Sequence, residues 1–350
     1  MKIITVLGAR PQFIKAAPMS KLLAHEGINE IIIHTGQHFD SQMSQVFFDE
    51  MKLPTPKYNL GIHGVNHGAM TGKMLEQIEL ILLKENPNFV MVYGDTNSTL
   101  AAALAAKKLA IKVIHIEAGL RSHNLDMPEE TNRILTDRIS NLLFCPTIEA
   151  VNNLRLEGYD NFGCHYQLVG DVMYDAFLHF QKYQKSVYPP IEQPYVLATI
   201  HRAENTDNIE TLKNIVNFLN EVNTRYKVVI PLHPRTRNKL LQNNIKLDVS
   251  IIDPVGYLEM LWLLNNSKIV LTDSGGLQKE AYFAQKKCIT LRSETEWIEL
   301  VKNGWNQLIN PKQKLDANDI EYSTPNNHES LYGNGDSCHK IIETIKRCVE

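Results

Sequence analysis

Short apolar runs alternate with helix-length stretches along almost the whole chain of 350 residues. That alternation is the strongest constraint on the fold, because it argues for parallel sheets whose strands are joined by crossover helices. Strands read near 3–8, 30–34, 89–93, 112–116 and 142–145, and a second series near 195–199, 227–231, 249–252, 268–272 and 287–291. Between the series lies the polar, proline-bearing stretch Tyr183-Gln184-Lys185-Ser186-Val187-Tyr188-Pro189-Pro190, with an earlier candidate linker at Gly170-Asp171. A chain of this length is expected to form two domains. The expected architecture is α/β, with two Rossmann-like domains whose parallel sheets face a central cleft. The first would span 1–170 with a C-terminal helix at 336–350, and the second 171–335. The polar stretch 311–335 reads as an extended surface segment, and the last helix, about 337–349, follows Gly333-Asn334-Gly335-Asp336.

In open sheets of this kind, ligands bind beyond the carboxyl ends of the strands. Three carboxylates stand there. The strand ending at Tyr93 runs into Gly94-Asp95-Thr96-Asn97, the strand ending at Ile116 runs into Glu117-Ala118-Gly119-Leu120-Arg121, and Pro128-Glu129-Glu130-Thr131-Asn132-Arg133 opens a helix. Acids so placed suit proton transfer on one small substrate. The alternative is that they cap helices or pair with Arg121, Arg133 and Arg138. The first strand leads into Gly8-Ala9-Arg10-Pro11, and Arg10 and Lys15 flank a helix start that suits an anion. In the second half, Asp273-Ser274-Gly275-Gly276 opens another helix. Ser274 can cap it, Gly275 and Gly276 let a phosphate approach the backbone, and Glu280 could accept from ribose hydroxyls. His201-Arg202 and His233-Pro234-Arg235 also follow strands. His201 beside Arg202 suits pyrophosphate contact or proton shuttling, whereas a histidine placed like His233 is more often structural.

Composition closes other routes. A net charge of −3, with 43% hydrophobic and 21% charged residues, makes no case for nucleic acid or a membrane surface. A phosphorylated ligand therefore needs a local basic site. The five cysteines show no Cys-x-x-Cys spacing, and His63 and His67 lack an acidic third ligand at a known spacing, so no metal is expected. There is no Gly-x-Gly-x-x-Gly for a nicotinamide cofactor, and Gly68-Ala69-Met70-Thr71-Gly72-Lys73 has the wrong spacing for a P-loop. A strand at the very N-terminus and the lack of a long apolar run point to the reduced cytoplasm.

Taken in order, Gly8-Ala9-Arg10-Pro11, Gly36-Gln37-His38, Gly94-Asp95-Thr96, Glu117-Ala118-Gly119-Leu120-Arg121, Pro128-Glu129-Glu130-Thr131-Asn132-Arg133, His201-Arg202, Asp273-Ser274-Gly275-Gly276 and Tyr332-Gly333 resemble the motifs of non-hydrolysing UDP-N-acetylglucosamine 2-epimerases. The resemblance spans essentially the whole chain. It implies a GT-B-like pair of domains, a C-terminal helix that crosses back to the first, a homodimer and no cofactor. It further implies that Asp95, Glu117, Glu129 and His201 are catalytic. Arg10, Lys15, Arg133, Arg202, His233, Ser274, Gly275, Gly276 and Glu280 would then bind the UDP-activated acetamido sugar. The implied chemistry is elimination of UDP across C1–C2 to a glycal, then re-addition after protonation on the other face. Two departures, at Gln37-His38-Phe39-Asp40-Ser41-Gln42 and in the short loop Arg121-Ser122-His123-Asn124-Leu125-Asp126-Met127, look closer to the subgroup acting on UDP-2,3-diacetamido-2,3-dideoxy-glucuronate for O-antigen or capsule polysaccharide. The first departure also removes residues that in bacterial relatives serve an allosteric second UDP-sugar. UDP-GlcNAc 2-epimerisation, a hydrolysing epimerase, a GT-B glycosyltransferase and a non-catalytic nucleotide-sugar sensor remain the alternatives.

Overall fold

The computed structural model describes residues 1–37, 50–188 and 190–348. The chain divides into two compact units, Met1–His179 with Ser330–Glu350, and Phe180–Glu329. Sequence reading placed the divisions at 170/171 and 335/336. They fall elsewhere because of one helix. Asp175, on α6 (Val172–Phe180), accepts from the amides of Ser337 (3.2 Å) and Cys338 (2.8 Å) at the start of α13 (Ser337–Arg347). The N-cap residue Asp336 makes no side-chain cap. A distant carboxylate thus satisfies orphan amides that a local cap ordinarily takes, and it binds α6 to the first unit. Gly170 meets Gly333 in the same place. A Cβ at Gly170 would stand 2.8 Å from the Tyr332 carbonyl and from Ser337 Oγ, and the φ of +92° already disfavours any side chain.

The first unit carries a seven-stranded sheet in the order β3-β2-β1-β4-β5-β6-β7, all pairs parallel. Its strands are β1 (Lys2–Leu7), β2 (Asn29–His34), β3 (Tyr58–Asn59), β4 (Phe89–Tyr93), β5 (Lys112–Ile116), β6 (Leu142–Cys145) and β7 (His165–Leu168). The connecting helices are α1 (Arg10–His25), α2 (His67–Glu85), α3 (Asn97–Lys108), α4 (Pro128–Ile139) and α5 (Ile148–Leu156), with α6 after β7. Helix α3 shows how sequence sets the packing. Ala101, Ala102, Ala103, Ala105 and Ala106 are fully buried, so small side chains let it lie close on the sheet and on α2. The Thr96 hydroxyl caps its start by accepting from the Thr99 amide.

The second unit has six parallel strands in the order β10-β9-β8-β11-β12-β13. These are β8 (Tyr195–Thr199), β9 (Val228–Pro231), β10 (Ser250–Ile252), β11 (Ser267–Thr272), β12 (Lys287–Thr290) and β13 (Asn306–Leu308). Its helices are α7 (Ala203–Thr206), α8 (Ile209–Asn223), α9 (Pro234–Gln242), α10 (Tyr257–Asn266), α11 (Gly275–Phe283) and α12 (Ile298–Lys302). In α8, Leu212, Ile215, Val216, Leu219 and Val222 recur at helical spacing and are buried against Val228, Ile230 and Leu271. Both sheets are doubly wound, so each has one switch point where the winding reverses: between β1 and β4, and between β8 and β11. No described helix is long and apolar enough to cross a membrane.

Candidate active site

Each unit gathers polar groups at its switch point. In the first, β1 leads into the Gly8–Arg10 turn and β4 into Gly94-Asp95. Sequence offered the α1 start to an anion; in the structure the two amides just before it and Lys15 already have protein partners. The amides of Gly8 and Ala9 both donate to the Gln12 side chain (2.7 and 3.1 Å), whose own nitrogen donates to the Tyr93 carbonyl (2.7 Å). Lys15 is buried and paired with Glu117. Half-buried Arg10 stands at the first helical position. Gln12 therefore stitches the turns after β1 and β4 together, a role that no local pattern reveals.

Glu117 stands just past β5 with φ +71°, a left-handed conformation rare for a side chain-bearing residue. Such strain persists where surroundings impose it, and it clusters at functional sites. Here the Glu117 and Ala118 amides both donate to the Phe144 carbonyl (3.1 Å each), and Lys15 takes the carboxylate. Gly94 leaves that carboxylate room, since a Cβ there would lie 3.3 Å from Glu117 Oε2. Asp95 accepts from Arg133 Nη2 at 2.5 Å, while its backbone carbonyl accepts from Asn132 (2.9 Å). The guanidinium of Arg133 is buried and also binds Glu130, so it orients acids in the resting structure. Glu129 and Glu130 differ sharply. Glu129 is exposed at the first turn of α4. Glu130 is buried and accepts from the Ser122 and His123 amides (3.0 Å each) as well as Arg133. Burial pushes the Glu130 carboxyl up, but those amides and Arg133 outweigh it and hold it below the usual carboxylate range.

Beneath these acids lies a buried network that sequence reading missed. Asp137 Oδ1 lies 2.7 Å from His115 Nδ1, the carboxylate accepts from the Gly119 amide (3.1 Å) and Arg121 (2.7 Å), and Arg121 grips Glu157 with two further bonds (2.6 and 2.8 Å). Burial raises the Asp137 carboxyl, and the His115 ring and Arg121 beside it more than reverse it. The only sequence signal was a histidine and an aspartate inside apolar stretches.

The second unit is more open. Asp273, fully buried after β11, accepts from the His201 amide (3.1 Å), the Arg202 amide (3.0 Å) and Asn205 (3.2 Å), and its Oδ1 lies 3.2 Å from His201 Nδ1. Burial pushes it up, but the His201 ring and these amides leave it below the ordinary range. The carboxylate thereby fixes the His201-Arg202 turn, with the His201 side chain half-exposed. Ser274 caps α11, and Gly275 and Gly276 form its first turn. Trp297 donates to the Gly275 carbonyl (3.0 Å), and Lys279 sits 4.0 Å over the Trp297 ring. Glu280 is buried beside the Tyr257 hydroxyl, which burial and that carboxylate push far above a normal phenol. His233 is exposed and caps α9, its Nδ1 accepting from the Arg235 amide (3.2 Å). That bond matches the structural role. Arg292, just past β12, is a buried cation missed in the sequence and is paired with Glu296 (3.0 and 3.2 Å). Among the described residues no cluster could hold a metal ion. The Gln37–Gln42 departure lies largely outside the described residues, with only Gln37 inside them.

The chain matches the family model of UDP-N-acetylglucosamine 2-epimerase over residues 20–346. It is 51% identical to the UDP-2,3-diacetamido-2,3-dideoxy-D-glucuronate 2-epimerase of Pseudomonas aeruginosa, covering 99% of this chain and 100% of that one. It is also 51% identical to a UDP-N-acetylglucosamine 2-epimerase homolog of Methanococcus maripaludis, covering 99% of each. The crystal structure of Methanocaldococcus jannaschii UDP-GlcNAc 2-epimerase in complex with UDP-GlcNAc and UDP superposes with a TM-score of 0.90 at 44% identity, over 99% of this chain and 100% of that one.

Proposed function

The chain belongs to the UDP-N-acetylglucosamine 2-epimerase family, and from that premise we propose that it inverts C2 of a UDP-2-acetamido sugar without net hydrolysis. A base removes the C2 proton, the bond from C1 to the UDP oxygen breaks, and a glycal with a C1–C2 double bond forms. An acid then protonates C2 on the opposite face, and the UDP oxygen adds back to C1. The observation that carries this reading is Glu117. It is a carboxylate at a strand end, in a strained backbone conformation, buried against a lysine and next to a second oriented acid, Asp95. Asp95, Glu117 and Glu129 are assigned the proton transfers. His201, aimed by Asp273, is assigned to the leaving diphosphate, which Arg10, Lys15, Arg202 and the α11 start at Ser274, Gly275 and Gly276 would steady. Glu280 is assigned to the ribose. Arg133 acts by orienting Asp95, and His233 by shaping the loop after β9.

The favoured substrate is UDP-2,3-diacetamido-2,3-dideoxy-D-glucuronate, converted to its manno epimer for O-antigen or capsule polysaccharide. The Pseudomonas relative supports this choice. The Methanococcus and Methanocaldococcus relatives favour UDP-GlcNAc as the second reading. The same reading makes the enzyme a cytoplasmic homodimer. The test is proton NMR in D2O with each sugar nucleotide offered separately. Deuterium at C2 appearing with the manno epimer is the expected result, and the faster sugar names the substrate. UDP release without epimer would indicate a hydrolysing enzyme. Transfer to an added acceptor with no C2 exchange would indicate a glycosyltransferase.

A further inference from the structure

His115 is wholly buried in the middle of β5, two residues before Glu117. Its two ring nitrogens face two acceptors. Nδ1 lies 2.7 Å from Asp137 Oδ1, and Nε2 lies 2.8 Å from the Gly94 carbonyl oxygen. A carbonyl oxygen can only accept, and the other oxygen of Asp137, Oδ2, accepts from Gly119 and Arg121 as an ionised carboxylate does. A neutral imidazole has one N–H and would leave one of these contacts as two facing lone pairs.

We propose that His115 is held as the imidazolium and is a positioning residue for the acid/base site. One N–H fixes the Gly94 carbonyl, and hence the turn that presents Asp95. The other binds Asp137, which fixes the Gly119–Arg121 loop following Glu117. A single buried ring thus sets the distance between the two acid-bearing turns, with Cys145, Tyr159 and Cys164 also in the field of Asp137. The proposal rests on the epimerase reading for its functional part, while the protonation state stands on geometry alone.

Neutron diffraction from a deuterium-exchanged crystal of the wild-type protein tests the protonation state. Deuterons on both His115 nitrogens are expected, and one bare nitrogen overturns the proposal. Kinetics of His115→Gln test the role. The variant keeps one donor, and kcat for C2 exchange should fall by about 10- to 100-fold with KM changed less than about twofold. A wild-type kcat, or a loss carried entirely in KM, overturns positioning. Should that variant not fold, the deuteron count still decides the charge, and His115→Asn gives the same kcat test. Wild-type protein with no C2 exchange on any UDP-acetamido sugar would overturn the epimerase reading, and with it the role of His115, while leaving two deuterons as a separate fact.

Discussion

The two switch points are built from the same strand order but spend their charges differently. At the first, the buried cations are already engaged by other protein groups: Lys15 with Glu117, Arg133 with Asp95 and Glu130, Arg121 with Asp137 and Glu157. At the second, buried Asp273 aims His201 and Arg202, which reach solvent, while Arg292 is buried and paired with Glu296. Pre-paired groups fix geometry before any ligand arrives, which proton transfer requires. Cations left in water suit an anion that must be released each turnover. A division of labour follows: the first unit is built to react and the second to hold.

That contrast can be broken by substitutions whose effects separate chemistry from binding. The largest effect belongs to Glu117→Gln. Turnover should drop by about 10³-fold, within the range for a lost general acid or base, while calorimetry finds the UDP affinity unchanged; a matching loss of affinity would erase the distinction. Next comes Asp273→Asn, which removes the charge that holds the His201 ring. UDP affinity should weaken by about 10- to 30-fold, as for a charge-assisted hydrogen bond, with little change in the first unit's stability. Gly170→Ala should cost about 2 kcal/mol in urea unfolding, because its Cβ meets backbone at a positive φ. That loss would fall on the first unit and leave UDP affinity intact. The smallest effect concerns Glu30, a half-buried acid of the first unit beside a neutral hydroxyl. Glu30 accepts from the Thr5 hydroxyl (2.5 Å), and burial pushes its carboxyl above the ordinary value. A raised folded-state pKa means that stability is complete below the unfolded value and is lost as pH rises through the folded one. Glu30→Gln should therefore stabilise by about 1 kcal/mol at pH 8, with the gain vanishing near pH 4; thermal melts across that range would show it.

What was legible in the sequence was whatever depended on neighbours along the chain. Central strands such as Phe89–Tyr93 and Tyr195–Thr199 are buried throughout and read as unbroken apolar runs. The strands overlooked, Tyr58–Asn59, His165–Leu168 and Asn306–Leu308, all lie at sheet edges, where a short and partly exposed strand carries little apolar signal. The same divide runs through the site. Asp95, Glu117, His201 and Ser274 announced themselves by sitting just past strands. Gln12, His115, Asp137 and the aiming role of Asp273 did not, because each acts on a turn brought near only by folding. Gln12 meets Tyr93, and Asp273 meets His201. Glu129 and Glu130 look interchangeable on paper, yet only the fold decides which faces water.

The docking of α13 has a consequence for the order of synthesis. Its first amides rest on Asp175, Thr344 donates to Gln167 of β7 (2.8 Å), and Lys346 pairs with Glu26. The segment that completes the first unit therefore leaves the ribosome only after all of 180–329. Until then β7 and α6 wait without their cover, so the second unit, contiguous in sequence, can finish folding before the first.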